Sequence, residues 1–212
     1  MLPELHPLFI HFPIALFSAA IFFDALFILL TKPENLLVGW WVMLLALVSS
    51  AAAIATGIGG PGMTDIEVEV WDKVMNVNVR GTWLVSKASV PHLAKCGNGK
   101  ILNLASDTAL WGATNLMHYV ASKGAVVAMT RSMANELGEK GISVNCIAPG
   151  LTEVEATEYV PEERKQLYRE NRSLKRTQMP SDITGSVIFF MSDASDFITG
   201  QCLPVNGGFV MN

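Results

Sequence analysis

The chain has 212 residues, of which 50% are hydrophobic and 16% are charged, and its formal net charge is −4. Soluble domains usually carry about 25% charged residues, so this chain is more apolar than an ordinary soluble domain, and its composition excludes intrinsic disorder. The negative net charge and the lack of a basic block exclude the electrostatic footprint of nucleic-acid binding, so no nucleic-acid partner is expected.

The charged residues are distributed unevenly along the chain. Residues 1–60 contain only four of them, and all the others lie in the remainder. The sequence therefore predicts two domains, a membrane-like segment over residues 1–56 and a soluble-like segment over residues 57–212.

Two apolar runs predict a helical hairpin in the membrane. They span residues 8–30 and 36–56, and a membrane-spanning helix needs about 20 apolar residues. Residues 31–35 form a polar turn with the helix-stopping Pro33. A secretory signal peptide is a weaker interpretation, because the N-terminus carries Glu4 rather than positive charge. A buried pair of soluble helices is the remaining alternative.

The first apolar run contains ionisable residues, which are costly inside a membrane and tend to face a partner or a cavity. His6 and His11 are five residues apart, a poor spacing for two metal ligands on one helix face, so we favour packing near the interface. The string from His6 to Ile14, followed by Asp24, resembles the opening of an uncharacterised bacterial family of small membrane proteins over residues 5–56. That resemblance implies a membrane location and no particular activity.

Residues 57–212 alternate between strand and helix patterns. Alternation at this spacing is typical of an α/β fold, in which a parallel sheet has right-handed crossovers. The predicted strands are Lys100–Ser106, Ser143–Pro149 and Cys202–Gly207, and the predicted helices lie near 65–95, 115–138 and 181–193.

The pattern Tyr119-Val-Ala-Ser-Lys123 predicts an acid–base pair on a helix, because residues i and i+4 share a face. A nearby ammonium favours the phenolate. We therefore expect Lys123 to lower the pKa of Tyr119 below its usual value of about 10. Tyr119 would then be usable as an acid or base near neutral pH. Alone, a tyrosine and a lysine at this spacing are commonly a surface pair.

Further polar residues lie near the ends of the predicted strands. Ser106 ends a strand, where active groups of parallel α/β sheets gather, and its hydroxyl can bind a carbonyl oxygen. Asn78 lies in the middle of a predicted helix, where asparagine is unfavourable without a specific reason. Pro149 and Gly150 follow the next strand, and Thr152 is placed to contact a carboxamide or a phosphate. Singly, each has an ordinary explanation as a cap, a helix residue or a turn.

Together, these elements resemble the short-chain dehydrogenase/reductase family over residues 57–212. The resemblance implies a Rossmann-like fold. The expected fold class is therefore α/β, a partial Rossmann-like parallel sheet containing the late strands only, preceded by the transmembrane hairpin. The matching strings are Trp71–Gly81, Ser106, Tyr119-x-x-x-Lys123, Ile147–Thr152 and Gly200–Gly208.

The resemblance implies an NAD(P)-dependent oxidoreductase that acts on a secondary alcohol or ketone, with no metal ion. Tyr119 would exchange a proton with the substrate oxygen, and Ser106 would hold that oxygen. Lys123 would bind the nicotinamide ribose and tune Tyr119, and Asn78 would hold a water molecule in a proton relay. The implied cofactor-binding residues are Tyr119, Lys123, Pro149, Gly150 and Thr152.

The glycine-rich turn and helix with which this family binds pyrophosphate are not recognisable. The string from Gly57 to Gly62 is rich in glycine, but no helix follows it directly and no βαβ unit surrounds it. We therefore expect a truncated domain that lacks the N-terminal dinucleotide-binding half and binds NAD or NADP weakly. The alternative is a non-enzymatic membrane protein, or a fusion product, with a vestigial dehydrogenase tail.

Topology and assembly are expectations of the same kind. Two spans place both termini on one side of the membrane, and the dehydrogenase-like part is expected to face the cytoplasm, where cofactor is available. The resemblance alone implies a homodimer through the helices near 65–95 and 115–138. The charged run 161–170 lies where the family keeps a mobile lid over its substrate, and a solvated helix is an equal alternative.

Overall fold

The computed structural model describes residues 60–158 and 160–211, apart from the side chain of Ala156. The predicted hairpin over residues 8–56, with its histidines and Asp24, lies outside the described residues. In the part of the chain that is described, no helix is both long enough and apolar enough to cross a membrane.

Three parallel strands form the sheet of the described region: β1 (Gly99–Leu104), β2 (Ile142–Pro149) and β3 (Cys202–Val205), in the order β1-β2-β3. The prediction of three late parallel strands is confirmed. Both β1 and β3 end two residues earlier than predicted, so Ser106 lies in the loop after β1 rather than in the strand.

Helices connect and cover the strands. The predictions near 115–138 and 181–193 are confirmed. The helical stretch predicted near 65–95 is also confirmed, since the chain is helical from Val68 to Cys96, with a π-helical segment, Asn76–Arg80, between two α-helices. The helices are α1 (Val68–Met75), α2 (Gly81–Cys96), α3 (Thr108–Trp111), α4 (Met117–Leu137), α5 (Glu162–Asn171) and α6 (Ser181–Met191). Single 3₁₀ turns lie at Met63–Asp65, Gly138–Lys140, Glu155–Thr157 and Asp193–Ser195.

The core lies between the sheet and the helices α2 and α4. A parallel strand is buried on both faces and is therefore apolar almost throughout, which is the pattern that β2 shows. Each large aliphatic side chain that is fully buried contributes about 1.5–3 kcal/mol to folding. One buried cluster comprises Leu93, Ile101, Ala134, Leu137, Ile142 and Val144, and a second comprises Ala105, Val126, Val127, Cys146 and Ala148.

The amino and carboxyl ends of the parallel strands lie at opposite edges of the sheet, and the two edges carry different groups. At the amino end of β1, the buried Lys100 forms an ion pair with Asp196, with 2.6 Å between Nζ and Oδ1. At the opposite edge, the carboxyl ends of all three strands meet because the strands are parallel. Ligands of open α/β sheets bind at that edge.

Candidate active site

Ser106 lies two residues beyond β1 and is buried. Its Oγ accepts hydrogen bonds from the Thr108 hydroxyl over 2.9 Å and from the Thr108 backbone N–H over 3.3 Å. A serine hydroxyl has one donor and two acceptor positions. Because both of these contacts use Ser106 as an acceptor, its own proton is available to an oxygen in the site.

Tyr119 and Lys123 lie on one face of α4, as predicted. The Lys123 Nζ atom is 5.7 Å from the centre of the Tyr119 ring. The Lys123 side chain is buried, and its Nζ donates to the carbonyl oxygen of Leu104 over 2.9 Å. An ammonium group carries three N–H donors, so this contact fixes the lysine at the carboxyl end of β1 and uses one of them.

The pKa of Tyr119 moves opposite to the expected direction. Burial raises this pKa to about 12, hydrogen bonding to Ser106 lowers it, and the charge on Asp107 raises it further. The prediction of a pKa below 10 is therefore wrong for this structure. Burial also lowers the pKa of Lys123 to about 8. The cost of burying a charge outweighs the attraction between the two groups, so Tyr119 is a protonated phenol at neutral pH.

Asn78 lies in the π-helical segment between α1 and α2 and is buried. Its Nδ2 donates to the Ser122 hydroxyl over 2.8 Å, and that hydroxyl donates to the carbonyl oxygen of Tyr119 over 2.7 Å. Its Oδ1 is buried and has no hydrogen-bond partner among the described residues. A buried acceptor of this kind normally binds water or a ligand, which fits the water-holding role implied by the resemblance.

The end of β2 is joined to the Ser106 loop. The Asp107 backbone N–H donates to the carbonyl oxygen of Pro149 over 3.0 Å. The Thr152 hydroxyl donates to the carbonyl oxygen of Gly150 over 3.1 Å. A Cβ atom on Gly150 would lie 2.9 Å from Asp107 Oδ2 and from Asn206 Cβ. Close approach of the surrounding chain therefore requires glycine at this position.

The sequence analysis missed a buried polar group next to Ser106. Asp107 Oδ1 accepts a hydrogen bond of 2.8 Å from the Tyr168 hydroxyl, and the Arg172 guanidinium lies 5.1 Å from the Tyr168 ring centre. Asp107, Tyr168 and Arg172 are all buried. The available indication was Tyr168, an aromatic residue within the charged run and therefore a candidate for burial.

An aromatic cluster adjoins this group. The ring centres of Tyr168 and Phe209 are 4.3 Å apart and stacked, and those of Trp111 and Phe209 are 5.4 Å apart, edge to face. The cluster connects α3, α5 and the segment after β3. Because all three follow carboxyl ends of strands or cross over them, the cluster forms an apolar wall at the same edge as Ser106.

The site residues fit the nicotinamide end of a dinucleotide. Lys123 offers a buried ammonium, and Asn78 offers a buried acceptor that has no partner among the described residues. Within residues 60–158 and 160–211, by contrast, none of the glycine clusters leads directly into an α-helix, which is the arrangement that typically binds a pyrophosphate. These clusters are 60–62, 97–99 and 207–208.

Similarity to known proteins extends along most of the chain. A family model described as Enoyl-(Acyl carrier protein) reductase matches residues 36–210. The 3-oxoacyl-[acyl-carrier-protein] reductase of Thermotoga maritima is 36% identical over 143 residues, which cover 68% of this chain and 58% of that protein. The 2-dehydro-3-deoxy-D-gluconate 5-dehydrogenase of Escherichia coli is 37% identical over 143 residues, which cover 66% and 56%. The chain thus spans just over half the length of both relatives.

A solved structure shows the same fold. The gluconate 5-dehydrogenase of Burkholderia cenocepacia, in complex with NADP and tartrate, has a TM-score of 0.69 and 31% identity, covering 72% of this chain and 61% of that chain. The family match also begins 21 residues before the resemblance found in the sequence, so it includes the second apolar run, 36–56. On these grounds, the chain belongs to the short-chain dehydrogenase/reductase family.

Proposed function

We propose that the chain is an NAD(P)-dependent oxidoreductase that interconverts a secondary alcohol and a ketone. The observation that carries this proposal is the convergence of Ser106, Tyr119 and Lys123 at the carboxyl end of β1. A nicotinamide coenzyme supplies the hydride for reduction or accepts it in oxidation. The role of the protein side chains is to hold the substrate oxygen and to transfer one proton.

The side chains divide this work. The Ser106 hydroxyl donates a hydrogen bond to the substrate carbonyl oxygen. The Tyr119 phenol, protonated at neutral pH because its pKa is about 12, gives its proton to that oxygen as the alcohol forms. Lys123 is cationic at pH 7, since its pKa is about 8, and the charge stabilises the phenolate that remains. Oxidation of an alcohol runs the same transfer in reverse.

Asn78 supplies the route by which the phenol is reprotonated. Its free Oδ1 accepts a hydrogen bond from a water molecule, and its Nδ2 is fixed by Ser122 on the helix that carries Tyr119. A fixed amide on one side and a mobile water on the other suit a proton relay. Pro149, Gly150 and Thr152 would flank the nicotinamide ring at the end of β2.

Turnover of the full chain tests the proposal. We expect oxidation of NADPH or NADH with a panel of ketones that includes a 3-oxoacyl thioester and a keto sugar acid, the substrate classes suggested by the names of the relatives. Tyr119→Phe removes the proton donor and is expected to lower kcat by at least about 100-fold. Ser132→Ala, an exposed change on the same helix, is the matched control. Parent-like turnover by Tyr119→Phe would contradict the proposal, and so would the absence of saturable nucleotide binding.

Weak nucleotide binding is a separate proposal, supported by the lack, in the described part, of a glycine cluster that leads directly into an α-helix. If the protein holds mainly the nicotinamide and its ribose, reduced nicotinamide mononucleotide and NADH will have dissociation constants within a few-fold of each other. Fluorescence titration of the full chain measures both. NADH binding 100-fold more tightly than the mononucleotide would show that an adenine and pyrophosphate site exists.

We also propose attachment to the membrane through residues 8–56, with the oxidoreductase part on the cytoplasmic side, on the strength of the two apolar runs. Full-length protein should then stay in the membrane fraction after an alkaline carbonate wash, and protease added to the cytoplasmic side should digest residues 60–211. Release into the supernatant would contradict attachment. Retention without any nucleotide binding would favour the non-enzymatic alternative. The proposed homodimer is tested by light scattering in detergent.

A further inference from the structure

Asp107 occupies a position that the proposed chemistry does not use. It directly follows Ser106, its backbone N–H holds Pro149, and its side chain is completely buried. The carboxylate accepts a 2.8 Å hydrogen bond from Tyr168, which lies 61 residues further along the chain. This contact joins the loop after β1 to helix α5, which follows β2.

Helix α5 is attached to the protein through the same face. Tyr168 is buried against Asp107, and Arg172 is 2% exposed. The Arg172 guanidinium donates to the carbonyl oxygen of Leu151 over 2.5 Å and to Gln178 Oε1 over 3.2 Å. The rest of the helix is mainly open to solvent, including Glu162, Glu163, Gln166, Leu167 and Glu170. Two buried side chains therefore carry most of its attachment.

The carboxylate of Asp107 is incompletely compensated. The groups facing it are Tyr168 from α5, Arg172 directly after α5, the indole of Trp111 from α3, Tyr119 from α4, and Asn206 after β3. Arg172 is the one cation among them, and Asp107 Oδ2 has no hydrogen-bond partner within the described residues. Burial raises the pKa of Asp107 to about 6, although the hydrogen bond from Tyr168 and the charge of Arg172 lower it.

We propose that Asp107 is a positioning residue that holds α5 against the Ser106 loop by accepting the hydrogen bond from Tyr168. The role in catalysis rests on the proposed function, whereas the attachment itself does not. The attachment requires an oxygen acceptor at this position and does not require the charge of a carboxylate.

Hydrogen–deuterium exchange of the full chain tests the attachment without nucleotide or substrate. Parent and variants are compared at equal pH, from pH 5 to pH 8, on peptides covering 162–171. Asp107→Asn keeps an oxygen acceptor for Tyr168 but carries no charge. Because that acceptor remains, we expect α5 of this variant to exchange at the parent rate at each pH. Glu163→Gln makes the same chemical change on the exposed face of α5 and is expected to follow the parent.

Loss of the hydrogen bond is expected to weaken the attachment. Tyr168→Phe removes the hydrogen bond with little change of volume, and Asp107→Ala removes the carboxylate. Both are expected to speed exchange of α5 by about tenfold, the scale of one buried hydrogen bond. If Asp107→Ala does not fold, Tyr168→Phe alone decides. Unchanged exchange in Tyr168→Phe, or exchange in Asp107→Asn as fast as in Tyr168→Phe, would overturn the proposal.

Activity then separates positioning from a merely structural role. We expect Tyr168→Phe to raise KM with little change in kcat, and Asp107→Asn to keep the parent KM. Altered exchange in a protein without turnover would leave the attachment standing and contradict the oxidoreductase. Turnover with unaltered exchange would do the reverse.

Discussion

The Nδ2 atom of Asn78 lies 2.8 Å from the hydroxyl oxygen of Ser122, and this hydrogen bond joins the π-helical segment to the turn of α4 that carries Tyr119. A π-helical segment inserts an extra residue into a helix and is often found at functional sites. In this protein it places the side-chain amide of Asn78 in a buried position, where Ser122 is its one hydrogen-bond partner among the described residues.

We expect Asn78→Ala to destabilise the protein by about 1–3 kcal/mol, because the Ser122 hydroxyl loses its donor and a small cavity remains. Asn76→Ala, an exposed change in the same segment, is expected to cost less than about 0.5 kcal/mol. Urea unfolding of the full chain measures both values. Equal losses of unfolding free energy in the two variants would show that any substitution in this segment destabilises the protein, whether or not it removes the buried hydrogen bond.

Gly150→Ala is expected to destabilise by about 1–3 kcal/mol, because the added methyl would lie 2.9 Å from Asp107 Oδ2 and Asn206 Cβ and 3.0 Å from Gln178 Oε1. Gly185→Ala, in α6, meets nothing within 4 Å and is expected to stabilise by up to about 1 kcal/mol through helix propensity. Thermal unfolding of the two variants is expected to show a lower Tm for Gly150→Ala and a higher Tm for Gly185→Ala, because only Gly150 is closely packed. A neutral Gly150→Ala would contradict it.

Burial of Lys123 predicts an unusual dependence of stability on alkaline pH. Since its pKa is about 8 when folded and 10.5 otherwise, the unfolded chain binds more protons between these values, and stability contributed by this residue rises with pH. The shift corresponds to about 3 kcal/mol. Relative to the parent, Lys123→Met is therefore expected to be more stable at pH 7.5, and its advantage is expected to shrink by pH 10.

The exposed Lys140→Met is the control for this measurement, because its difference from the parent is expected to stay constant over the same range. Chemical denaturation at a series of pH values gives both differences. If the difference in unfolding free energy between Lys123→Met and the parent stayed constant over this pH range, the Lys123 ammonium would have to be solvated in the folded protein.

The three cysteines are expected to react with iodoacetamide in the order Cys96, Cys202, Cys146. Cys96 is exposed, Cys202 is partly buried, and Cys146 is completely buried. Hydrogen bonding to Cys202 and burial raise the pKa of Cys146, which further suppresses its thiolate. Peptide mass spectrometry follows the labelling, with denatured protein as the control in which the rates converge. Rapid labelling of Cys146 under native conditions would contradict the buried β2.

The strands and the main site residues could be predicted from the sequence because their causes are local. β2 is buried along most of its length and is apolar except for Ser143 and Asn145. The spacing of Tyr119 and Lys123 places them on one helix face. Ser106 and Asn78 were singled out by their positions in predicted elements, and the family resemblance added their roles. The π-helical segment was not predictable in this way, since it depends on backbone hydrogen bonds that leave no period in the sequence.

Asp107 and the direction of the Tyr119 pKa were missed because both depend on tertiary burial. The partner of Asp107 is 61 residues away, in a run whose charges favoured a solvated helix. The spacing of Tyr119 and Lys123 gives their proximity but not their solvation. In the structure, Lys123 donates to Leu104 and both groups have lost water, so the sign of the pKa shift reverses.

The ion pair between Lys100 and Asp196 lies at the edge of the sheet opposite to Ser106. Hydrophobic contacts of Leu93, Ile142 and Leu137 lie near the same edge. Substitutions that improve thermal tolerance can therefore be sought there, a full strand length away from the reacting atoms. Changes in α5 and the loops around it can then alter substrate preference. Stabilising substitutions at the amino ends of the strands can offset the stability that those changes cost.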